Sequence, residues 1–353
     1  MRSEKTIRMM KKSDLRIVFM GTPEFAVETL KALVENGYNV VAVVTQPDKP
    51  VGRHGSVLQP SAVKQYATEK GLPVLQPEKM KDPEFVEQLR SYHANLQVVV
   101  AFRMLPEVVW AMPEYGTFNV HAALLPQYRG AAPINWAVIN GETVTGVTTF
   151  FLDHDIDTGR IIMQMPFAIP DEADVEYVYD GLMHLGAEIC LKTLDKIIAA
   201  NGHPESIEQN DFITATSCDS PVAVANSPLS TLHSPLKTAP KIFKETCEID
   251  WKQTAKRVYD FVRGLSPYPG AWTTLEGTDG KATVLKIFKT TKTNEPATGC
   301  VGRLSIKDRH LYIECSDGQL RIDELQLAGK KRMDAQAFLN GMKDIEGYVA
   351  RKK

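Results

Sequence analysis

The amino-acid sequence predicts an α/β protein: a doubly wound, mostly parallel Rossmann-like sheet followed by a small C-terminal OB-like β-barrel. Three observations carry this reading. Short β-branched apolar runs alternate with stretches of helical apolar spacing through Asn201. A stretch with Ser-Pro at Ser220-Pro221, Ser227-Pro228 and Ser234-Pro235 then interrupts all regular periodicity. Beyond it, short alternating segments follow one another between Gly, Asp and Thr turns. A chain of 353 residues also exceeds what one core usually spans, so two domains are expected.

Taken in order, residues 1–14 are polar and basic, lack the apolar stretch of a secretory signal, and read as a disordered N-terminal extension. "LRIVFM" from Leu15 is a buried strand. Gly21-Thr22-Pro23 is a turn in which Thr22 can cap the helix and Pro23 suits its first position, and "EFAVETLKALVENG" is that helix, ended by Gly37. "YNVVAVVT" is the next strand. The turn has one glycine and not the GxGxxG of a pyrophosphate site, so a dinucleotide cofactor is disfavoured. Gln46 to Pro60 is a loop rich in Pro and Gly; "SAVKQYATEKG" is helical; "LQVVVAF", "TFNVH", "GVTTFF" and "RIIMQM" are strands; Val175 to Ala200 is a long helix. Residues 15–210 thus form the expected catalytic domain, 211–239 a linker, and 240–353 the barrel domain. In the last, the amphipathic helix "WKQTAKRVYDFVRGL" precedes strands in "AWTTLEG", "ATVLKIFKTT", "GCVGRLSIK", "RHLYIECSDG" and "QLRIDELQLAGK".

With 43% hydrophobic and 24% charged residues, the composition is that of an ordinary globular protein, and no apolar run reaches the roughly 18 residues of a membrane span. Cys190, Cys218, Cys247, Cys300 and Cys315 are odd in number and show no CxxC spacing, which argues against a disulfide framework and against a zinc site. A reducing cytoplasm, no metal and no membrane partner are expected. Charge is unevenly spread: residues 240–353 carry 21 Lys and Arg against 15 Asp and Glu, a net +6, which leaves −8 for residues 1–239. A basic C-terminal part suits a polyanion partner, although a solvated basic face reads the same way.

Asn119 and His121 end an apolar strand two residues apart, so both side chains leave the same face at its carboxyl end, where open α/β sheets keep their ligands. About thirty-six residues later, "LDHDIDTGRII" is an acidic loop in which Asp153, His154, Asp155 and Asp157 all compete for a role. An amide and an imidazole can hydrogen-bond an oxyanion, and a carboxylate can hold the imidazole's protonation state or collect a proton from an attacking amine. Such a set runs acyl transfer without a Ser or Cys nucleophile if the amine attacks directly.

Asn119-Val120-His121, Leu124-Leu125-Pro126, Arg129-Gly130-Ala131-Ala132-Pro133-Ile134 and Asp157-Thr158-Gly159 together resemble the signature of the folate-dependent formyltransferases. "FMGTPEFAV", "TQPDKPVGRHGSVLQPSAVK", "APKIFKETCEIDW" and "AKRVYDFVRGLSPYPGAW" are similar to the branch of that family that acts on methionyl-tRNA, and the likeness runs from Leu15 onward. It implies transfer of the formyl group of 10-formyltetrahydrofolate to the α-amino group of methionyl initiator tRNA, for translation initiation, by direct amine attack through a tetrahedral intermediate. Carried over by position, Asn119 and His121 would polarise the formyl oxygen, and Asp157 would balance the charge of His121 and help remove the amine proton. Ala101, Phe102, Arg103, Met104 and Leu105, with Leu124, Leu125 and Pro126, would wall the folate site. Lys49, Arg53 and His54 of the Gln46–Pro60 loop would meet the acceptor end of the tRNA, and Lys330, Lys331, Arg332 and the terminal Arg351-Lys352-Lys353 would track its phosphates. A monomer with tRNA and the folate cosubstrate as partners is expected.

The chain departs from the family pattern at three places. Ala123 stands where Ser is usual, Arg103 where relatives often carry Gly, and "HGSV" follows Arg53 in place of Gly-Lys-Lys. The alternatives are a formyltransferase acting on glycinamide ribonucleotide or an amino sugar nucleotide, a formyltetrahydrofolate hydrolase, a binding protein without turnover and, weakest, a Rossmann dehydrogenase.

Overall fold

A computed structural model describes residues 9–51, 57–211, 235–277, 280–342 and 345–352. By packing, the chain divides into two units: Met1–Gly130 with Val144–Phe167 and Tyr179–Thr238, and Ala131–Thr143 with Ala168–Val178 and Ala239–Lys353.

The first unit is built on a seven-stranded sheet of β1 (Arg16–Gly21), β2 (Asn39–Val44), β3 (Val74–Leu75), β4 (Leu96–Val100), β5 (Thr117–His121), β6 (Val144–Phe151) and β7 (Ile161–Ala168). Their spatial order is β7-β6-β5-β4-β1-β2-β3. Strands β1 to β5 pair in parallel and β6 joins β5 antiparallel. All five residues of β4 are buried, as a parallel strand covered on both faces requires. From β1 the chain winds to one side through β2 and β3, then returns to place β4 on the other side, so the order reverses between β1 and β4. The crevice outside their carboxyl ends is the topological switch point of the sheet.

Helix α1 (Glu24–Glu35) buries Phe25, Ala26, Thr29, Leu30 and Leu33, the spacing that marked it as amphipathic. Its start differs from the sequence expectation: Pro23, extended, occupies the capping position without a side-chain bond, and the Thr22 hydroxyl is buried without a partner among the described residues. Thr22 lies one residue too far upstream to reach the first free N–H groups. Gly21 serves packing: a Cβ there would stand 2.7 Å from the Ala26 Cβ and 2.9 Å from the Phe19 ring. Helices α2 (Ala62–Glu69) and α3 (Pro83–Ser91) are capped by Ser61 and Asp82, α4 (Glu107–Trp110) follows the loop after β4, α5 (Pro133–Ile139) belongs to the second unit, and α6 (Val175–Ala199) is the long helix. Of the expected N-terminal extension, residues 1–8 lie outside the described residues and Lys12–Asp14 form a 3-10 turn. Residues 212–234 of the expected linker also lie outside them; the Lys237 N–H donates to the Gln127 amide oxygen at 2.8 Å and its carbonyl accepts from Tyr128 N–H at 2.7 Å.

The second unit centres on an antiparallel sheet of β8 (Ala271–Glu276), β9 (Ala282–Lys292), β10 (Leu304–Lys307), β11 (His310–Glu314), β12 (Gln319–Leu327) and β13 (Val349–Arg351), in the order β10-β11-β12-β9-β8-β13. An isolated bridge from Arg303 to Val349 joins the two end strands, with Leu304 N–H to Tyr348 O at 3.0 Å and Ala350 N–H to Gly302 O at 2.7 Å. Helix α7 (Ala255–Arg263), capped by Thr254, and α8 (Ala335–Gly341) complete the unit. Two segments from within residues 15–210 pack here. Ile139 of α5 joins the core around Trp251, Val258, Leu285 and Leu325, and buried Arg263 donates to Ala173 O at 2.8 Å while its Nε reaches Asp260 at 2.8 Å.

Buried Glu314 closes the loop before β10 by accepting from the N–H groups of Thr298 (2.7 Å), Gly299 (2.6 Å) and Cys300 (2.8 Å) and from the Thr298 hydroxyl. Burial opposes its ionisation, but the Thr298 hydroxyl and these N–H groups outweigh it and hold the carboxyl below its usual range. A depressed folded value means stability that is present above the unfolded value of about 4.3 and lost as pH falls through the folded one. Glu314→Gln should therefore cost about 1–3 kcal/mol at pH 7, and the gap to wild type in urea midpoint should narrow below about pH 4. A gap unchanged down to pH 3 would remove Glu314 from acid unfolding.

Candidate active site

Strand β5 sends Phe118 and Val120 into the core and leaves Asn119 and His121 on the opposite face, level with Phe150 and Thr148 of β6. His121 is only 6% exposed, and its ring stands edge-on to Phe150 with centroids 6.4 Å apart. Its Nε2 lies 2.9 Å from the Tyr128 carbonyl. A carbonyl only accepts, so Nε2 carries the hydrogen and Nδ1 is left to face Asp157, whose Oδ2 is 3.8 Å away. Asp157 itself sits in the left-handed backbone region, at φ 55°, and its Oδ2 accepts the Gly130 N–H at 2.9 Å.

The other groups of the acidic loop are engaged elsewhere. Asp153 accepts from the Asp155 N–H and the Thr158 hydroxyl, both at 2.9 Å, which closes an Asx turn. His154 is exposed and edge-on to Trp110 at 5.3 Å. Of the four competing residues, Asp157 is the one brought beside His121. The Asn119 Oδ1 is buried with no partner among the described residues. A buried polar atom without a hydrogen bond is one that a polar occupant of the site would meet.

Two segments flank this set. Ala101 to Pro106 follows β4 at the switch point: Ala101 has φ 47°, Met104 is 70% exposed, Phe102 is half-buried, and Leu105 is packed in the core. Arg103 turns to the neighbouring loop, donating to the Pro77 carbonyl and to Glu78 O at 2.9 Å, and burial pulls its pKa below the usual value. After β5, Leu124 is half-buried, Leu125 and Pro126 are buried, and the peptide between the latter two is cis. Thr148 pins that turn, accepting the Leu125 N–H at 3.0 Å and donating to Ala123 O at 2.6 Å, while Gln164 donates to Leu125 O at 2.7 Å. Ala123 is fully buried.

Of the residues expected to meet tRNA, Arg53 and His54 lie outside the described residues. Lys49 is exposed on a short hairpin, Lys49–Val51 with Val57–Gln59. Just before it, hydrogen bonds from Lys64 (2.7 Å) and Gln76 (2.8 Å) hold the Asp48 carboxyl below its usual pKa. Lys330 and Lys331 are exposed, whereas Arg332 pairs with Glu324, and Arg351 with Glu276 at 2.7 Å.

Sequence reasoning missed Thr148, Gln164, Arg129 as a side chain, and Gln209. The Arg129 guanidinium is half-buried, and this desolvation lowers its pKa. Among the described residues no group of three or more His, Cys, Asp or Glu could hold a metal ion, and no helix is long and apolar enough to cross a membrane.

Residues 15–194 match the family model described as Formyl transferase, and residues 241–343 match that of the Formyl transferase C-terminal domain. The methionyl-tRNA formyltransferase of Parabacteroides distasonis is 58% identical over 342 residues, 96% of this chain and 99% of its own. That of Bacteroides fragilis is 54% identical over 96% of this chain and 98% of its own. Among solved structures, an N-formyltransferase from Helicobacter canadensis, in complex with folinic acid and dTDP-3-aminofucose, superposes with a TM-score of 0.57 at 20% identity, over 87% of this chain and 98% of that one. At that identity the likeness is one of fold.

Proposed function

The chain belongs to the formyl transferase family, and from that premise we propose that it transfers the formyl group of 10-formyltetrahydrofolate to the α-amino group of methionyl initiator tRNA in the cytoplasm. The observation that carries this reading is the nearly full-length likeness to methionyl-tRNA formyltransferases, which spans both matched domains. The site supports it chemically: an amide, an imidazole and a carboxylate gather at the carboxyl end of β5 with no Ser or Cys nucleophile needed.

The donor supplies an activated formyl carbon when bound; the unpartnered polar atom of Asn119 and the exposed loop after β4 are compatible with a polar, partly planar occupant. Because Nε2–H is committed to the Tyr128 carbonyl, Nδ1 is the His121 nitrogen left for chemistry. It donates to an oxyanion only when the ring carries a second proton, and the Asp157 carboxylate is the counterion for that charge. Asn119 adds a neutral donor to the same developing charge. The attacking amine must be neutral, and esterification to tRNA helps by removing the carboxylate that keeps a free amino acid's amine protonated. Asp157 then takes up the proton that the amine sheds, and the transfer is completed when the bond from the formyl carbon to the donor nitrogen breaks, the carbonyl re-forms and that nitrogen leaves with a proton as tetrahydrofolate.

Labelled formyl transfer to methionyl initiator tRNA, run beside glycinamide ribonucleotide and a control without acceptor, tests the reading. Label on the tRNA alone supports it; label on the small acceptor, or formate released without one, overturns it. The basic residues proposed to track phosphates make a further prediction. The KM for tRNA should rise steeply with salt, with a log–log slope of about 0.7–0.9 per phosphate neutralised, while that for the folate donor changes little. Equal salt sensitivity of the two would count against a basic docking surface.

A further inference from the structure

We propose that Gln209 is a positioning residue for this reaction, a clasp that holds the Asp157 backbone and the Arg129-Gly130 segment in the arrangement that aims the Asp157 carboxylate at His121. The inference rests on the formyl-transfer reading above.

Gln209 is 2% exposed, and its amide is fully used on two separate segments of chain. Its Nε2 donates to Asp157 O at 2.8 Å and to Gly159 O at 2.9 Å. Its Oε1 accepts from Arg129 Nε at 3.0 Å and from the same guanidinium's Nη2. Two carbonyls two residues apart are thereby drawn to a single nitrogen, which fixes the turn Asp157-Thr158-Gly159 with Asp157 at φ 55°. That left-handed conformation is uncommon outside glycine, although aspartate tolerates it better than most residues, and the two bonds from Gln209 fasten the turn in it. The side chain so presented accepts the Gly130 N–H at 2.9 Å, and Gly130 follows the arginine that Gln209 also holds. One amide thus sets both the backbone that carries the carboxylate and the N–H that orients it.

The hydrogen bonds of Gln209 go to Asp157, Gly159 and Arg129, so it acts through Asp157 and not on substrate. The side-chain chemistry is specific. A glutamate would keep the acceptor for Arg129 but set a carboxylate against two carbonyl oxygens, and an asparagine would be one methylene short of both segments.

The experiment compares Gln209→Met and Gln209→Glu with wild type in full-length protein, measuring kcat and both KM values in labelled formyl transfer to methionyl initiator tRNA, with thermal melting alongside. The expected result is a kcat lowered about 10–100-fold with both KM values within about twofold, because the misplaced group acts in the chemical step and not in binding. A double variant with Asp157→Asn supplies the readout that a purely structural role would not move: Gln209→Met should cost little further activity once the carboxylate it aims is gone. Unchanged kcat, a change confined to KM, or full additivity in the double variant would overturn the proposal. Loss of the fold in both single variants would make Gln209 structural and overturn it as well. Absence of transfer by the wild-type protein would instead overturn the functional reading itself.

Discussion

His121→Ala is expected to lower kcat for formyl transfer to methionyl initiator tRNA by about 10³-fold, the range in which a positioned imidazole contributes through proton transfer and oxyanion stabilisation. The expectation rests on how little freedom the ring has. It is buried, edge-on to Phe150, and anchored by Nε2 to the Tyr128 carbonyl, so one nitrogen and one direction remain for the substrate. Removing the ring also leaves Asp157 without the imidazole it faces at 3.8 Å. His121→Gln is the informative companion, since it restores an amide donor without a titratable proton, and it should remain at least tenfold below wild type. A single-turnover measurement isolates the chemical step. Activity of either variant within threefold of wild type would move the catalytic centre away from β5.

Gly159→Ala should be the most damaging single-methyl change on the Asp157 loop. The added Cβ would fall 1.7 Å from the Phe151 carbonyl oxygen, an atom fixed in the sheet at the end of β6. No rotamer change relieves a backbone clash, so the loop must leave its place and carry Asp157 with it. About 2–4 kcal/mol of stability and about 100-fold in kcat are expected to go together. Gly186→Ala in α6 is the matched control: its nearest neighbour would be Val120 Cγ1 at 3.5 Å, an ordinary contact. There the loss of glycine should stabilise the helix by about 0.5–1 kcal/mol with activity kept. If chemical denaturation ranked the two variants in the opposite order, the tight approach at Gly159 would be wrong.

The sheet was legible because its strands are continuous apolar runs cut off by Gly and Pro, and the pair Asn119 and His121 because a period of two puts them on one face. Asp157 could not be separated from Asp153, His154 and Asp155 by sequence spacing alone, since the choice is made by an Asx turn at Asp153 and by the Gly130 N–H, twenty-seven residues distant. Gln209 left no signal: a lone glutamine in a polar stretch has no periodicity, and its partners are 50 to 80 residues away. Thr22 failed as a cap by one residue, a displacement that composition does not encode. The strand β13 was hidden for a different reason, because three residues ending in Arg351 read as surface charge until Ala350 and Arg351 are paired to Leu275 and Thr274.

The second unit is assembled from three stretches that are far apart in the order of synthesis. Residues 131–143 leave the ribosome about a hundred residues before Ala239, yet Ile139 joins a core whose other buried members lie between Cys247 and Ala350. Ala173 waits similarly for Arg263. A nascent chain stopped near the Ser-Pro stretch therefore exposes apolar surface and unpaired carbonyls that nothing upstream in this unit can cover, and the last hundred residues act as the completing piece for segments already made. Chaperone dependence should peak in that interval and fall once β12, which carries Leu325, emerges.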